Sequence, residues 1–467
     1  MASNRRDFLK WSGFAGASLA SAGFTNLQEK IILTKDRLRL PDHFNMCGYA
    51  APPLENVRIG FIGLGNRGPD AVARMNRIDG ISIMALCDIR PEKVNAAKKS
   101  LESSKHKPEI YTGSEDAWKK LVERNDIDLI YIATPWSLHA PMAIYAMNHE
   151  KHACVEVPAC KTIDECWQLV ETSEKTRKHC MILENCCYDF FELLTLNMVR
   201  QGFFGEVIHG EGAYIHDLLA GNFSKTKYYD MWRLKENFRN GNLYPTHGLG
   251  PVSQAMNINR GDKMEWLVSV SSRDSMMAAM ADDLAAKDDF YKPFAGKKYR
   301  GNVNTTNIVT NKGNTIMLQH DVTSPNIYSR IYKISGAKGS SLKYPLPGRM
   351  SLGDENWFGP DKMAELEKKY EPPIVTKLGS MAKQVGGHGG MDFLMDWRTI
   401  DCLRNGLPLD IDVYDAASWS SIAPLSESSV ARNSAAVAIP DFTSGSWKTN
   451  QPVDNQLQKG ANTKVFV

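Results

Sequence analysis

Short apolar runs alternate with helix-forming segments over residues 56–185. The apolar runs cover residues 57–62, 81–87, 128–135, 152–157 and 180–185, and helical patterns cover residues 71–78, 140–148 and 163–175. Apolar runs of this length are typical of strands buried on both faces, and their alternation with helices is typical of a parallel sheet. The pattern therefore predicts an α/β domain with a doubly wound parallel sheet.

The pattern changes after residue 185. Longer alternating runs cover residues 207–216, 266–272, 305–311, 315–322 and 329–335, and helical patterns return at 391–403 and 416–432. Because several strands are consecutive, residues 186–440 are predicted to form an α+β domain with a large open, mostly antiparallel sheet. Residues 23–55 lack periodicity and predict an irregular lead-in. Residues 441–467 are polar and predict a C-terminal extension on the surface.

The first 22 residues have the features of an export signal. Arg5 and Arg6 precede Phe8-Leu9-Lys10, an uncharged apolar stretch follows, and Ala20-Ser21-Ala22 fits a cleavage site. The apolar stretch is too short to remain as a membrane-spanning helix. The order of basic, apolar and small residues is typical of signal peptides, and the paired arginines resemble the twin-arginine type. We therefore expect export to the periplasm or cell surface without stable membrane insertion, the alternative being a disordered amphipathic start.

Composition narrows the classes of function. The 467 residues are 43% hydrophobic, and 56 Lys and Arg face 53 Asp and Glu, a formal net charge of +3. This balance excludes wholesale disorder and makes nucleic acid an unexpected partner. The nine cysteines include no CxxC pair, so we expect buried free thiols and predict no metal site.

A glycine motif follows the first predicted strand. Gly63-Leu64-Gly65-Asn66-Arg67-Gly68 leads into a helix, and the second strand ends at Asp88. Strand, GxGxxG, helix, strand and acid together form the dinucleotide fingerprint, whose glycines let the backbone and a helix N-terminus approach a pyrophosphate. Asp88 is placed to accept hydrogen bonds from ribose hydroxyls, which favours NAD over NADP, and Arg90 weakens that preference. A bare strand–helix connection is the alternative.

A Rossmann domain followed by such a sheet domain resembles the Gfo/Idh/MocA oxidoreductases. The supporting features are the glycine motif, Ala133-Thr134-Pro135 with His139, and Glu156-Val157-Pro158. That family usually has Glu-Lys-Pro at the last position, where the lysine assists deprotonation of a sugar hydroxyl. Val157 can neither donate nor accept a proton, so this departure argues against an ordinary sugar dehydrogenase.

Three longer phrases resemble glycoside hydrolase family 109, a family of exported NAD-dependent glycosidases whose founding activity is α-N-acetylgalactosaminidase. They are Thr134-Pro135-Trp136-Ser137-Leu138-His139, Glu184-Asn185-Cys186-Cys187-Tyr188 and Tyr244-Pro245-Thr246-His247-Gly248-Leu249-Gly250-Pro251. The resemblance covers nearly the whole chain. Beyond Gly63, Gly65 and Gly68, it implies NAD contacts at Asn66, Arg67, Asp88, Trp136, Ser137, Leu138, His139, Glu156, Val157 and Asn185. It implies substrate contacts at Tyr214, Arg233, Tyr244, Pro245, Thr246, His247 and Tyr328.

The chemistry follows from what the sequence lacks. A conventional glycosidase uses two carboxylates that flank the bond, and no pair here has a recognisable placement. NAD offers another route: oxidation at C3 of the sugar makes the C2 proton acidic, its removal expels the glycosidic oxygen, water adds at C1, and C3 is reduced again. Since each turnover regenerates NAD, an exported enzyme needs no external pool. We therefore expect NAD to be tightly bound and recycled.

This route needs a base at the C3 hydroxyl, a base at C2 and an acid for the leaving group. His247 is the candidate for the first, because imidazole titrates near neutral pH. Tyr244 or Tyr214 is the candidate for the C2 base, provided that its phenol pKa is lowered. Arg233 is expected to position the substrate. A structural histidine and strand-packing tyrosines are the alternatives.

The resemblance implies release of terminal N-acetylgalactosamine, with the α-linkage favoured, and this is the expected function. One alternative is an exported NAD(P)-dependent sugar oxidoreductase, which Val157 argues against. The other is a non-catalytic sugar-binding protein, which His247 and the tyrosines argue against. An open sheet face also makes a homodimer an expectation.

Overall fold

The computed structural model describes residues 43–353, 355–452 and 454–466. The predicted twin-arginine signal, residues 1–22, and the lead-in up to residue 42 lie outside the described residues. The rest of the lead-in, residues 43–55, has irregular backbone, with Met46 and Ala51 buried. Within the described part of the chain, no helix has the length and apolar character needed to cross a membrane.

The first half is a six-stranded parallel sheet with the order β3-β2-β1-β4-β5-β6. Its strands are β1 (Val57–Ile62), β2 (Ile81–Cys87), β3 (Glu109–Tyr111), β4 (Leu129–Ile132), β5 (His152–Val155) and β6 (Cys180–Ile182). The helices between them are α1 (Gly68–Met75), α2 (Pro91–Ser100), α3 (Ala117–Val122), α4 (His139–Asn148) and α5 (Ile163–Thr176). Strands β2 and β3 lie on one side of β1, and strands β4 to β6 lie on the other. The strand order therefore reverses between β1 and β4, and such a switch point opens a crevice at the carboxyl ends of the strands.

The second half is an eight-stranded sheet with the order β13-β12-β11-β7-β10-β9-β8-β14. Its strands are β7 (Val207–Ile215), β8 (Met264–Ser271), β9 (Val303–Thr310), β10 (Thr315–Asp321), β11 (Lys333–Gly336), β12 (Ser340–Leu342), β13 (Arg349–Ser351) and β14 (Val437–Ala438). Neighbouring strands are antiparallel except β7 and β10, which are parallel. The predicted fold class, a Rossmann domain with an α+β domain built on a mostly antiparallel sheet, is confirmed.

Nine helices of the described residues belong to this second half. They are α6 (Phe190–Arg200), α7 (Leu219–Asn222), α8 (Trp232–Glu236), α9 (Thr246–Ala255), α10 (Met277–Ala285), α11 (Pro360–Tyr370), α12 (Pro373–Val385), α13 (Met391–Asn405) and α14 (Val413–Ala431). Two of them, α9 and α14, pack against the second sheet, and α13 packs against α1 of the first half. The two halves therefore share one continuous core.

Helix α9 lies against strand β7 at glycines. A Cβ added to Gly212 would lie 2.5 Å from the carbonyl oxygen of Gly248, and a Cβ added to Gly248 would lie 2.4 Å from the amide nitrogen of Ala213. Gly250, two residues further along the helix, lies against Glu184, whose Cγ would be 2.8 Å from an added Cβ. The backbone of α9 therefore rests directly on β7 and on the end of the Rossmann sheet.

Two predicted segments differ from the structure. The strand predicted at 329–335 begins only at Lys333, because Ile331 and Tyr332 have left-handed backbone, with φ of 56° and 46°. The extension predicted to be a surface segment is partly buried through Phe442 and Trp447. It then returns to the first half, where the Phe466 amide donates to the Arg77 carbonyl at 2.7 Å. The surface prediction was based on the many polar residues of this segment, and its few apolar residues account for the difference.

All nine cysteines are free, and all except Cys47 are buried. The prediction of buried thiols is therefore confirmed for eight of them.

A buried ion pair joins the two halves. Arg74 of α1 donates to Asp396 of α13 at 2.7 Å, and both side chains are almost fully buried. Removing one partner of such a pair leaves a buried charge without compensation.

Asp396→Leu is expected to lower the free energy of unfolding by about 3–5 kcal/mol. In Arg74→Leu/Asp396→Leu most of this loss should be recovered, because neither charge then remains buried alone. Urea denaturation followed by tryptophan fluorescence measures both. A double variant no more stable than the single one would contradict the assigned role of the pair.

Candidate active site

A cleft of about 630 Å³ lies between the carboxyl edge of the parallel sheet and the second half. It brings together most of the residues that the sequence predicted. These are Gly63, Gly65, Asn66, Arg67, Asp88, Trp136, Ser137, Leu138, His139, Glu156, Val157, Asn185, Tyr214, Arg233, Tyr244 and His247. Four others stand outside the lining of the cleft, namely Gly68, Pro245, Thr246 and Tyr328.

The glycine loop has the shape of a dinucleotide cradle. Gly63 has a φ of +92°, and a Cβ there would lie 2.5 Å from the carbonyl oxygen of Ala133. A Cβ on Gly68 would lie 2.0 Å from the carbonyl oxygen of Gly63, so Gly68 serves close packing rather than ligand contact. A Cβ added to Gly65 would approach only the Arg90 guanidinium, at 3.2 Å. The space beside Gly65 is therefore open on the side of the cleft. Together with the N-terminus of α1, this loop fits a pyrophosphate.

Asp88 fastens the glycine loop to strand β2. Its Oδ2 accepts a hydrogen bond from the Leu64 amide at 2.7 Å, and its Oδ1 accepts from Arg90 Nε at 3.0 Å. Arg90 also lies over the ring of Tyr229, at 5.3 Å. The carboxylate thus stands at the predicted ribose position with an arginine beside it.

Three residues predicted to contact NAD are tied together by a charged network. Arg67 Nε donates to Glu156 Oε1 at 3.0 Å, and Arg67 Nη1 pairs with Asp392 Oδ2 at 3.1 Å. Asn185 Nδ2 donates to the other oxygen of Asp392. Burial works to raise the pKa of Asp392, but a hydrogen bond from His388 and the arginine charges outweigh it and hold this pKa well below its usual value. Asp392 therefore stays ionised and orients both Arg67 and Asn185.

His139 braces the loop at the end of β4. Its Nδ1 lies 2.7 Å from the Pro158 carbonyl and its Nε2 lies 2.8 Å from the Thr134 carbonyl. With both ring nitrogens occupied, His139 holds the backbone of the cleft rather than moving protons. Trp136 stacks on Tyr244 with ring centroids 5.5 Å apart and meets Trp232 edge-on, so its ring forms a wall of the cleft.

His247 is paired with a buried carboxylate. Its Nδ1 lies 2.7 Å from Oε1 of Glu184, a fully buried residue that follows β6. Burial acts to raise the pKa of Glu184, but the charge and hydrogen bond of His247 overcome it, and the net pKa lies below its usual value. An ionised carboxylate fixes the tautomer of its histidine and stabilises the imidazolium. Nε2 is therefore the nitrogen left for proton exchange in the cleft.

The two tyrosines surround Arg233. The guanidinium lies 5.3 Å from the Trp136 ring and 5.4 Å from the Tyr244 ring, and Tyr214 packs on Tyr244 at 4.6 Å. Burial raises the pKa of Tyr214, which Arg233 opposes only in part, and burial raises the pKa of Tyr244 well above its usual value. The lowered pKa on which the C2-base prediction depends is therefore not what this site provides.

The sequence prediction missed a third histidine in the cleft, beside His139 and His247. His388 lies in Gly386-Gly387-His388-Gly389-Gly390, where all five residues have positive φ. Its Nδ1 lies 2.9 Å from Asp392 and 3.2 Å from Arg67 Nη1, and its half-exposed ring lines the cleft. A single histidine between two glycine pairs is the signal that was available. Glu184 was also missed, although it lies in one of the quoted phrases.

Comparisons with known proteins agree with this geometry. Residues 57–184 match the model of the oxidoreductase family with an NAD-binding Rossmann fold. The structure of levoglucosan dehydrogenase in complex with NADH superposes with a TM-score of 0.61 at 16% identity, covering 83% of this chain and all of that one. Scyllo-inositol dehydrogenase from Lactobacillus casei with bound NAD(H) gives a TM-score of 0.58 at 14% identity, covering 82% and 99%. The first half is an NAD-binding Rossmann domain of the Gfo/Idh/MocA type.

The second half identifies the family. Residues 188–449 match the C-terminal domain of glycosyl hydrolase 109. Glycosyl hydrolase family 109 protein 1 of Bacteroides fragilis is 49% identical over 421 residues, which is 86% of this chain and 89% of that relative. A protein named alpha-N-acetylgalactosaminidase, also from Bacteroides fragilis, is 48% identical over 418 residues, or 88% and 97%. The chain belongs to glycosyl hydrolase family 109 and is a glycoside hydrolase.

Gly63→Ala is expected to remove bound NAD. Its Cβ would enter the space of the Ala133 carbonyl, and left-handed backbone adds about 1–2 kcal/mol of strain, enough to weaken binding by roughly tenfold or more. NAD released by denaturing the purified protein measures the effect. Gly313→Ala is the matched control, because Gly313 also has positive φ but open space around it. Equal NAD content in both variants would contradict the cradle.

Proposed function

We propose that this enzyme releases terminal N-acetylgalactosamine, with the α-linkage favoured, and keeps and recycles its NAD. The observation that carries the proposal is the His247–Glu184 pair, which lies in the same cleft as the dinucleotide cradle. The relative named alpha-N-acetylgalactosaminidase supports the choice of sugar, since it matches along 88% of this chain. The proposed substrate is a glycan that ends in this sugar.

The residues of the cleft have separate roles in proton transfer and in positioning the sugar. NAD, when bound, supplies a reversible oxidation of the sugar. His247 Nε2 accepts the proton of the sugar hydroxyl, and Glu184 stabilises the resulting imidazolium. Arg233, within its ring of aromatic side chains, holds a carbonyl or hydroxyl oxygen of the sugar.

The tyrosines are better suited to donate than to accept. Raised pKa values keep Tyr214 and Tyr244 protonated, so each can donate a hydrogen bond to a sugar oxygen. A C2-base role for either one stays a prediction, and it requires Arg233 to stabilise the phenolate. Tyr328 stands behind this wall of the cleft, with its ring 6.4 Å from that of Tyr214.

Retention of NAD is supported by a segment of the second half, residues 219–236, that reaches across the cradle. The Asn66 side chain donates to the Lys227 carbonyl at 2.9 Å, and Tyr229 lies over Arg90. Trp232 meets Trp136 at 5.5 Å. These three contacts bridge the glycine loop, the ribose end and the loop after β4, so a dinucleotide beneath them would leave only after the segment moved.

The deciding experiment combines product release with isotope exchange. Purified protein with no added NAD is incubated in D2O with p-nitrophenyl α- and β-N-acetylgalactosaminide, and the released sugar is analysed by mass spectrometry. We expect p-nitrophenol release and deuterium at C2, because the elimination route breaks the C2–H bond. His247→Asn should retain NAD but release no product.

Each other outcome has a distinct meaning. Release without deuterium at C2 would contradict the elimination route. Absence of release from either anomer, with bound NAD reduced by a free sugar, would favour the alternative of an exported sugar oxidoreductase. Val157 lines the cleft at the position where such oxidoreductases usually carry lysine, and its aliphatic side chain cannot transfer a proton, which argues against that alternative.

His388 is the proposed leaving-group acid. It forms a second histidine–carboxylate pair at the cleft, with Nδ1 held by Asp392. His388→Gln should lower the rate on methyl α-N-acetylgalactosaminide by about 10²- to 10⁴-fold, the range for loss of a general acid. The rate on the p-nitrophenyl glycoside should fall far less, because p-nitrophenolate leaves without protonation.

The control for this experiment is His209→Gln, since His209 lies on the second sheet and bonds to Thr315 rather than to a cleft residue. It should leave both rates unchanged. An equal loss on the two substrates in His388→Gln would exclude the acid role and indicate a binding role instead.

Two further expectations belong to this proposal. Export by the twin-arginine route would carry the folded, NAD-loaded protein to the periplasm or cell surface. A homodimer through the open face of the second sheet is supported by Val270, which is 56% exposed on strand β8.

A further inference from the structure

Cys186 lies beside the His247–Glu184 pair, although no step above uses it. Its Sγ, a ring nitrogen of His247 and a carboxylate oxygen of Glu184 all lie within 4.8 Å of one another. Cys186 is fully buried, and its thiol donates to Asn185 Oδ1 at 3.6 Å. Thiolate, imidazole and carboxylate are the ligand types that zinc takes in proteins.

Glu184 has an oxygen that the fold leaves unused. Oε1 faces His247 and also accepts from the Cys186 amide at 3.1 Å. Oε2 is buried and accepts no well-formed hydrogen bond from the described residues, although the Thr246 hydroxyl lies close enough to help lower the pKa of Glu184. A buried oxygen left in this way costs free energy, and a cation would satisfy it. His247 lines the cleft, so the fourth coordination position would be open to water.

We propose that Glu184, Cys186 and His247 form a binding site for Zn²⁺, and that its occupation inhibits the enzyme. Ligands of a tetrahedral zinc lie about 3.3–3.6 Å apart. The 2.7 Å contact between His247 Nδ1 and Glu184 Oε1 must therefore open, and separations above that range, none of which exceeds 4.8 Å, must close. Binding replaces the S–H bond of Cys186 by an S–Zn bond and releases the proton to water, with no electron transferred. Because the metal occupies the imidazole and the carboxylate together, the pair can no longer accept a proton from the substrate.

This site could not be predicted from the sequence, because the spacing of its three residues follows no zinc-binding pattern. Glu184 and Cys186 are two residues apart on a turn after β6, and His247 comes from α9 on the other half of the protein. The close approach of α9 at Gly250 is what brings the third ligand to the other two.

The site is tested with Co²⁺, whose bond to a thiolate gives a charge-transfer absorption in the near ultraviolet. The full-length, NAD-loaded protein is treated with EDTA, desalted and titrated with Co²⁺. We expect one Co²⁺ per chain with this absorption, and its loss when Zn²⁺ is added. Cys186→Ser should lose the absorption, whereas Cys187→Ser should keep it, because Cys187 is an adjacent, equally buried thiol outside the cluster. Zn²⁺ should also inhibit glycoside hydrolysis, and EDTA should restore it.

The outcomes separate the site from the proposed function. The absorption is measured without substrate, so it stands or falls independently of which sugar the enzyme uses. Absence of the absorption in the wild type, or its persistence in Cys186→Ser, would overturn the site. Binding without inhibition would overturn its inhibitory effect. Circular dichroism and NAD content establish that each variant is folded, and Cys186→Ala replaces Cys186→Ser if the serine variant is not.

Discussion

The close approach of helix α9 to strand β7 is the constraint on which the active site depends. Gly212 and Gly248 let the two backbones touch, and Gly250 lets the same helix reach Glu184. A Cβ at any of these positions would push the helix outward. His247 is carried on this helix, so its 2.7 Å contact with Glu184 exists only because the helix lies so close. The same packing sets Tyr214, on β7, beside Tyr244.

Glu184 and Asn185, at the end of the parallel sheet, connect the two halves of the protein. Glu184 holds His247 from α9, and Asn185 holds Asp392 from α13. Asp392 in turn holds His388 and Arg67, so two consecutive residues after β6 are linked to His247, to His388 and to the glycine loop. A substitution at either residue is therefore expected to affect cofactor and proton positions together, since both rest on one turn of backbone.

The carboxylates and the phenols of the cleft end with pKa shifts of opposite direction, although burial raises the pKa of both. The carboxylates of Glu184 and Asp392 face positive or proton-donating partners, which outweigh burial and keep their pKa values low. The phenols of Tyr214 and Tyr244 share one half-buried arginine, which does not outweigh burial, so their pKa values rise. Ionised Glu184 and Asp392 therefore pair with His247 and His388, whereas the protonated tyrosines supply neutral hydrogen-bond donors to the cleft. This arrangement favours histidine over tyrosine for proton transfer.

Features with a local physical cause could be predicted from the amino-acid sequence alone. Apolar runs and the glycine motif are read within a few residues, so the parallel sheet, the cradle and Asp88 at the end of β2 were predictable. The phrase from Tyr244 to Pro251 likewise contains His247 and the glycines that seat it. The contact partners of the site residues, in contrast, depend on how the folded elements pack against one another. Glu184 and His247 are 63 positions apart, and Asn185 and Asp392 are 207 apart. No local pattern encodes such pairs, because they arise where packed elements from the two halves meet, and the resulting burial sets which groups stay charged.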